Sequence, residues 1–393
     1  MTDLARQLHR MGHEVTVLTT TPHYNLDEVA LKRQPLRRRF LGLVYQSEID
    51  GVRVWHIKVP MKGKRLYSRV FDILYFHFMS LLLGWTAIGR FDIVIAPSPP
   101  ITIGIVGWLL GVRYGAPAVY NVQEIYPDFA VNQGLIRNPL IIGILRRIER
   151  LVYNRSAAVV TISEWFSRII GPRGLSGGKL RMIPNSVDTA LFCPHPRDNA
   201  FAREHGLIND FVVLYGGNIG PGQDWESFLY AAETLGHLPV LFVVVGGGAR
   251  AAWLAEECSR RNLKNVRLLG YQSRSLMPLV NASCDLCTIP MKAGTTRDGF
   301  PSKIYTIMAS GKSVLVQADE DSELAWVVRH TRSGRVTVPG DGAAYAAGVR
   351  TALEERAHLV EEGARGREYV LTKYSTEAVG QAYDALVREL TRG

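Results

Sequence analysis

Short apolar runs rich in branched residues alternate along the whole chain with longer stretches of helical periodicity. In the first half Glu14–Thr20, Val52–Ile57, Asp92–Pro97, Pro117–Val122 and Ala157–Ile162 read as strands. Leu66–Ile88, Ile101–Tyr114, Asn138–Arg155 and Glu164–Ile170 read as the helices that separate most of them. Segment 21–51 breaks this rhythm and, carrying Arg37, Arg38 and Arg39, is expected to loop out. A boundary follows at Pro184-Asn185-Ser186-Val187-Asp188, and a Pro-rich stretch runs on through Pro194 and Pro196. The alternation then restarts with strands Phe211–Tyr215, Val240–Val245, Val266–Leu269, Asp285–Ile289 and Ser313–Gln317. Helices Asp224–Leu235 and Arg250–Asn262 follow the first two of these. Strands alternating with helices of this length predict parallel sheets covered on both faces. The expected domains are 1–184 and 185–372, facing a cleft, with 373–393 a helix that returns toward the first.

The chain opens on a helix, LARQLHRMGHEV, where a doubly wound half ordinarily opens on a strand and a glycine turn. The first domain is therefore expected to lack its first strand, through a misplaced start or a truncated gene.

Composition narrows the class. The chain has 393 residues, 47% hydrophobic and 21% charged, which is ordinary for a two-domain globular protein. Its net charge of +10 is unevenly placed: residues 1–190 hold 24 Lys and Arg against 13 Asp and Glu, and the remainder is nearly balanced. A basic first half points to an anionic partner such as a phosphorylated acceptor, an anionic lipid surface or a nucleic acid, or else to a solvated surface. Four cysteines cannot form a disulfide scaffold, and Cys284-x-x-Cys287 has no second ligand pair for zinc. A reducing cytoplasm is expected. The apolar run from Val70 to Ile88 approaches the length of a membrane span, but Asp72 and His77 interrupt it, so a buried or interfacial helix is expected.

Three motifs carry chemistry. The turn Gly216-Gly217-Asn218-Ile219-Gly220-Pro221-Gly222 sits between a strand and a helix, where backbone N–H groups and the helix dipole can hold an anion. The alternative is a turn that serves packing alone. Gly246-Gly247-Gly248 ends the next strand, and two adjacent glycine turns suggest a diphosphate lying across the sheet edge. In Asp298-Gly299-Phe300-Pro301-Ser302-Lys303, Lys303 falls in the first turn of a helix, against its dipole. An anionic ligand nearby would explain it; the alternative is a lysine reaching solvent.

The order of motifs resembles glycosyltransferase family 4, and more narrowly the colanic-acid and L-fucosamine transferase group. The matching segments are GHEVTVLTTTPHY (12–24), VQEIYPDFAV (122–131), MIPNSVDTALF (182–192), YGGNIGPGQDWESFL (215–229), LLGYQ (268–272), DGFPSKIYTIMASGKSVLV (298–316) and DSELAWVV (321–328). The resemblance implies an α/β GT-B fold of two Rossmann-like domains and a retaining transfer from a nucleotide-diphosphate sugar, UDP-linked by expectation. The acceptor would be a lipid-linked or polysaccharide glycan at the inner face of the plasma membrane, with an anionic membrane surface as partner and no nucleic acid. Gly217, Asn218, Gly220 and Gly247 would hold the diphosphate, and Tyr271 and Gln272 would flank the base. Asp298, Gly299 and Phe300 would face the donor sugar, Lys303 the anion, and Thr306 the ribose. Glu124 and His23 would act on the acceptor side. No metal or other cofactor is implied, because fixed dipoles and cations stabilise the leaving diphosphate.

The sequence departs from the family in three places: the first strand is missing, Asn218 and Gln223 stand where many relatives carry Arg and Lys on the diphosphate, and the family's glutamate pair is altered. The family's two glutamates, with seven residues between them, read Asp298 and Thr306 here. A non-hydrolysing sugar-nucleotide epimerase of the same fold, or a non-catalytic relative, are the competing readings.

Overall fold

The computed structural model describes residues 1–21, 34–60, 66–132, 134–175, 178–296 and 300–392. They fall into two compact units, Met1–Ser186 with Thr376–Gly393, and Val187–Ser375.

The first unit opens with α1 (Thr2–Arg10), whose Leu4 and Leu8, one turn apart, are buried. A mixed sheet follows, in the order β1 (Thr16–Thr20), β4 (Val52–Ile57), β3 (Val44–Ile49), β2 (Arg37–Arg39). The described part of segment 21–51 thus does not loop out. Ile49 pairs with Val52 across a two-residue turn, Asp50 and Gly51, both at positive φ (48° and 84°). Asp-Gly between alternating apolar residues is the chemistry of a tight hairpin. Arg37–Arg39 pairs antiparallel with β3 as an exposed edge strand, where its charge is tolerated.

A second sheet, entirely parallel, runs β5 (Val94–Pro97), β6 (Ala118–Val122), β7 (Ala158–Thr161), β8 (Leu180–Met182). β6 and β7 are buried throughout, as strands covered on both faces must be. One face carries α1 and the final helix α15 (Thr376–Thr391), which share a core with Val119 and Val160. The other carries α3 (Ile103–Tyr114), which touches both α2 (Leu66–Thr86) and α5 (Pro139–Arg155). Between α3 and α5 lies the short α4 (Asp128–Asn132), and after β7 comes α6 (Glu164–Ile170). None of the described helices is long and apolar enough to cross a membrane.

The second unit is one six-stranded parallel sheet in the order β11 (Val266–Leu269), β10 (Val240–Val245), β9 (Phe211–Gly216), β12 (Leu286–Pro290), β13 (Ser313–Gln317), β14 (Gly334–Thr337). Counted within the unit this is 3-2-1-4-5-6, the Rossmann order, whose direction of winding reverses between its first and fourth strands. Here those are β9 and β12. Helices α7 (Ala200–Glu204), α8 (Trp225–Thr234), α9 (Ala251–Arg260), α10 (Met277–Ala282), α11 (Lys303–Ala309), α12 (Glu323–Thr331), α13 (Gly342–Glu354) and α14 (Leu359–Lys373) complete it. Both cysteines of the C-x-x-C are buried at the start of β12, their sulfurs 3.4 Å apart, inside one apolar cluster.

Candidate functional site

The site begins where β9 ends. Past Tyr215 the chain enters the glycine turn, and its backbone is laced to the second glycine run. Gly217 N–H donates to the Val245 carbonyl, Ile219 N–H to that of Gly247, and Arg250 N–H to that of Ile219. Gly246 sits at φ 148°, and a Cβ there would overlap the Gly217 carbonyl; one on Gly248 would overlap that of Ile219. These two glycines therefore let the turns lie against each other. A Cβ on Gly247 meets nothing within 4 Å, so Gly247 alone of the three faces open space.

The α8 N-terminus, just past the glycine turn, already carries a carboxylate of the chain itself. Asp224, buried, caps it: its carboxylate accepts from Ser227 N–H and Ser227 Oγ, and also from Gly340 N–H at 2.7 Å. An aspartate thus takes up one of the orphan N–H groups at the helix start and faces the positive end of its dipole. The Gly220 N–H is likewise used, donating to Gln223 Oε1 at 2.8 Å. The backbone of this turn supplies shape more than free donors.

The positive charge comes instead from Lys303, the first residue of α11. Its Nζ donates to the Tyr215 hydroxyl at 2.8 Å and lies 4.0 Å from the Tyr215 ring centroid. Tyr215 in turn donates to the Asn218 carbonyl at 2.5 Å, tying lysine, strand end and turn into one chain. A Cβ on Gly217 would come within 2.8 Å of Nζ, so glycine there makes room for the ammonium. Part of the residue stays reachable by solvent, but its ammonium is buried, and desolvation lowers its pKa to about 7. Among the described residues no carboxylate lies within ion-pair distance of it. A buried ammonium whose partner is a neutral phenol is unsatisfied in charge.

Around this centre the predicted residues sort clearly. Gly217, Asn218, Gly220, Gly247 and Lys303 come together at the carboxyl ends of β9 and β10. Tyr271, 63% exposed, and Gln272 stand on the loop after β11. Phe300 stacks on Tyr305, ring centroids 5.1 Å apart, and Tyr305 stacks on Tyr374 at 4.3 Å. Thr306 is half-buried; its hydroxyl donates to the Lys303 carbonyl at 2.8 Å, leaving acceptor lone pairs. Asp298, Gly299 and His23 lie outside the described residues. Glu124 belongs to the first unit, just past β6, where burial raises its carboxyl above the usual range. Among the described residues no cluster of His, Cys, Asp and Glu could hold a metal ion.

Three contributors had no sequence signal strong enough to find them. Tyr215 reads as one more apolar strand residue, and Asp224 as an ordinary polar residue before a helix. Asp319, just past β13, accepts from Gly294 N–H at 2.9 Å and from Thr296 Oγ at 2.7 Å. It thereby anchors the loop that leads to position 297.

Residues 1–186 match the family described as "Glycosyl transferase 4-like domain", and residues 198–369 match "Glycosyl transferases group 1". The chain belongs to glycosyltransferase family 4. The family 4 chain is 26% identical over 370 residues to WcaI of Escherichia coli (strain K12), a glycosyl transferase named for colanic acid biosynthesis, covering 89% of this chain and 87% of that one. It is 24% identical over 292 residues to WbjE of Pseudomonas aeruginosa, named as a glycosyltransferase, covering 74% and 73%. Among solved structures, sucrose-phosphate synthase from Thermosynechococcus elongatus superposes with a TM-score of 0.76 at 19% identity, over 99% of this chain and 92% of that one. HepE from Anabaena, solved with UDP and glucose, gives 0.72 at 16% identity over 96% and 100%. The fold is GT-B, with two Rossmann-like domains.

Proposed function

We propose that this family 4 chain is a retaining glycosyltransferase that moves a sugar from a nucleotide-diphosphate donor, UDP-linked, to a lipid-linked or polysaccharide acceptor in cell-surface glycan synthesis. It works at the cytoplasmic face of an anionic membrane. One observation carries the donor half of this reading: Lys303 buries an ammonium at the Rossmann switch point with no counter-ion among the described residues. A diphosphate entering there gains a charge-assisted bond and satisfies a buried cation at once. HepE, of the same fold, is described in complex with UDP-glucose.

In this reading the acceptor hydroxyl bonds to the anomeric carbon on the face from which the diphosphate departs. The carbon–oxygen bond to the diphosphate breaks, and the hydroxyl's proton passes to a departing phosphate oxygen. Lys303 neutralises the leaving charge. Tyr271 and Gln272 flank the base, Thr306 meets the ribose, and Asp298, Gly299 and Phe300 face the sugar. Glu124 and His23 orient the acceptor. No metal is needed for any of these steps.

The test is transfer of a radiolabelled sugar from UDP-sugars to lipid extracts or isolated polysaccharide. Label appearing in the acceptor with retained anomeric configuration supports the proposal. Nucleotide binding without any transfer would favour the non-catalytic reading, and isomerised donor with no acceptor product the epimerase.

A further inference from the structure

The outer side of α2 is unusual for a helix of a globular unit. Between positions 70 and 85 every exposed residue is apolar: Val70, Phe71, Leu74, Phe78, Leu82 and Trp85. Leu74 and Phe78, one turn apart, are 61% and 63% exposed. The opposite side, with Met79 and Leu83, packs on the mixed sheet and satisfies that core. A surface helix ordinarily shows polar residues here, and a contiguous apolar stripe of this size marks a contact surface.

The stripe has neighbours of the same kind. α3 touches both α2 and α5, which makes a layer of three neighbouring helices, α2 over the mixed sheet and α3 and α5 over the parallel one. On α5 the first turns expose Leu140, Ile141 and Ile144, and the later ones expose Arg146, Arg147 and Arg150. α3 adds exposed Val112 and Arg113. Of the two carboxylates on these helices, Asp72 is half-buried and Glu149 is buried against Tyr153 and Arg173. Every fully exposed charge on the layer is an arginine.

We infer that this α2–α3–α5 face is a lipid-docking surface: the apolar stripe seats in the headgroup–acyl boundary and the arginines engage anionic headgroups. The inference rests on the membrane-side reading above and replaces its general basic surface with one face. An apolar strip edged by arginine alone is what an interfacial helix presents. Since no described helix is both long and apolar enough to cross, the face is read as lying on the bilayer instead of spanning it. A second copy of the chain fits less well, because a two-fold contact through this face would set the α5 arginines against their own equivalents.

The experiment uses the full chain and vesicles of phosphatidylcholine, alone or with three-tenths phosphatidylglycerol, in a flotation assay. The wild type should float with the anionic vesicles, and 0.5 M salt should weaken but not abolish this. The triple variant Phe71→Ser, Leu74→Ser, Phe78→Ser should lose on the order of a hundredfold in partitioning. Arg147→Gln with Arg150→Gln should lose roughly 25-fold at low salt and little at high salt. Thermal stabilisation by UDP-sugars is followed in parallel and should survive in both variants. If it does, loss of flotation reports docking alone; if the wild type floats but no nucleotide stabilises it, the donor reading fails and the docking face stands. Wild type that ignores both vesicle types overturns the inference. So do both variants floating like wild type, and so does a concentration-dependent dimer that the triple variant abolishes.

Discussion

Lys303 Nζ and the Tyr215 hydroxyl, 88 positions apart in sequence, meet at 2.8 Å where β9 ends and α11 begins. The contact joins the first strand of the Rossmann unit to the helix that follows its fourth, across the switch point. Its consequence is an ammonium held inside the protein with no anion beside it among the described residues, the property on which donor binding turns.

Replacing Lys303 by Met should separate binding from folding. Charge-assisted hydrogen bonds contribute about 1.5–3 kcal/mol, so the diphosphate donor should bind roughly ten- to hundredfold more weakly. The apo protein should melt no lower than wild type, because a buried ammonium with no counter-ion among the described residues has been removed. Calorimetric Kd and thermal melts on the same samples check both parts.

The lowered Lys303 pKa predicts a pH dependence with a definite sign. Burial depresses the folded value to about 7, so between pH 7 and the ordinary lysine value the unfolded chain holds the extra proton. The contribution of this group to stability is therefore present above that range and is lost as pH falls toward 7. Donor binding runs the other way: a bound diphosphate restores the proton, so affinity should fall as pH rises above 7. Titration calorimetry at pH 8 in buffers of different ionisation enthalpy should show uptake of nearly one proton, absent in Lys303→Met.

How much of this could be read from the chain depends on how local each signal is. Strand and helix alternation is local, and most elements lie where the apolar periodicity puts them. The hairpin through Asp50-Gly51 was equally local but was obscured by the arginine run at 37–39, whose charge suggests a loop although an edge strand accepts it. The glycine turns were legible as close approaches of backbone; what approaches Gly246 and Gly248 is the neighbouring turn. Tyr215 and Asp319 were not legible, since each acts on a segment distant in sequence. For α2 the apolar run was plain, but only packing decides which side of it meets the sheet.

Gly246→Ala and Gly248→Ala should each destabilise the second unit, because both combine positive φ with a backbone overlap. A loss of about 2 kcal/mol or more is expected from strain of this kind. Gly247→Ala, facing open space, should stay within about 1 kcal/mol. Urea midpoints of the three variants rank them.

Asp319→Ala should loosen the loop ending at Thr296 by removing the acceptor of two hydrogen bonds. The direct readout is faster hydrogen exchange at the Gly294 amide. Donor KM should rise more than kcat falls, since the loop leads toward the donor-sugar segment.

Thr306→Glu should tighten donor binding by roughly tenfold or more if the ribose lies beside α11, a carboxylate accepting from two hydroxyls where threonine reaches one. Thr306→Ala should change little. Equal Kd values for all three proteins would remove Thr306 from the site.

The central claim is that the buried ammonium of Lys303 receives a donor diphosphate. Thermal unfolding of wild type and Lys303→Met against a panel of nucleotide-diphosphate sugars tests it most directly. The account predicts that at least one of them, at about 100 times its wild-type Kd, stabilises the wild type by roughly 2.7 kcal/mol, and that the same concentration stabilises Lys303→Met by only about 0.4–1.4 kcal/mol. Stabilisation of equal size in both proteins, or none in either across the panel, would contradict it.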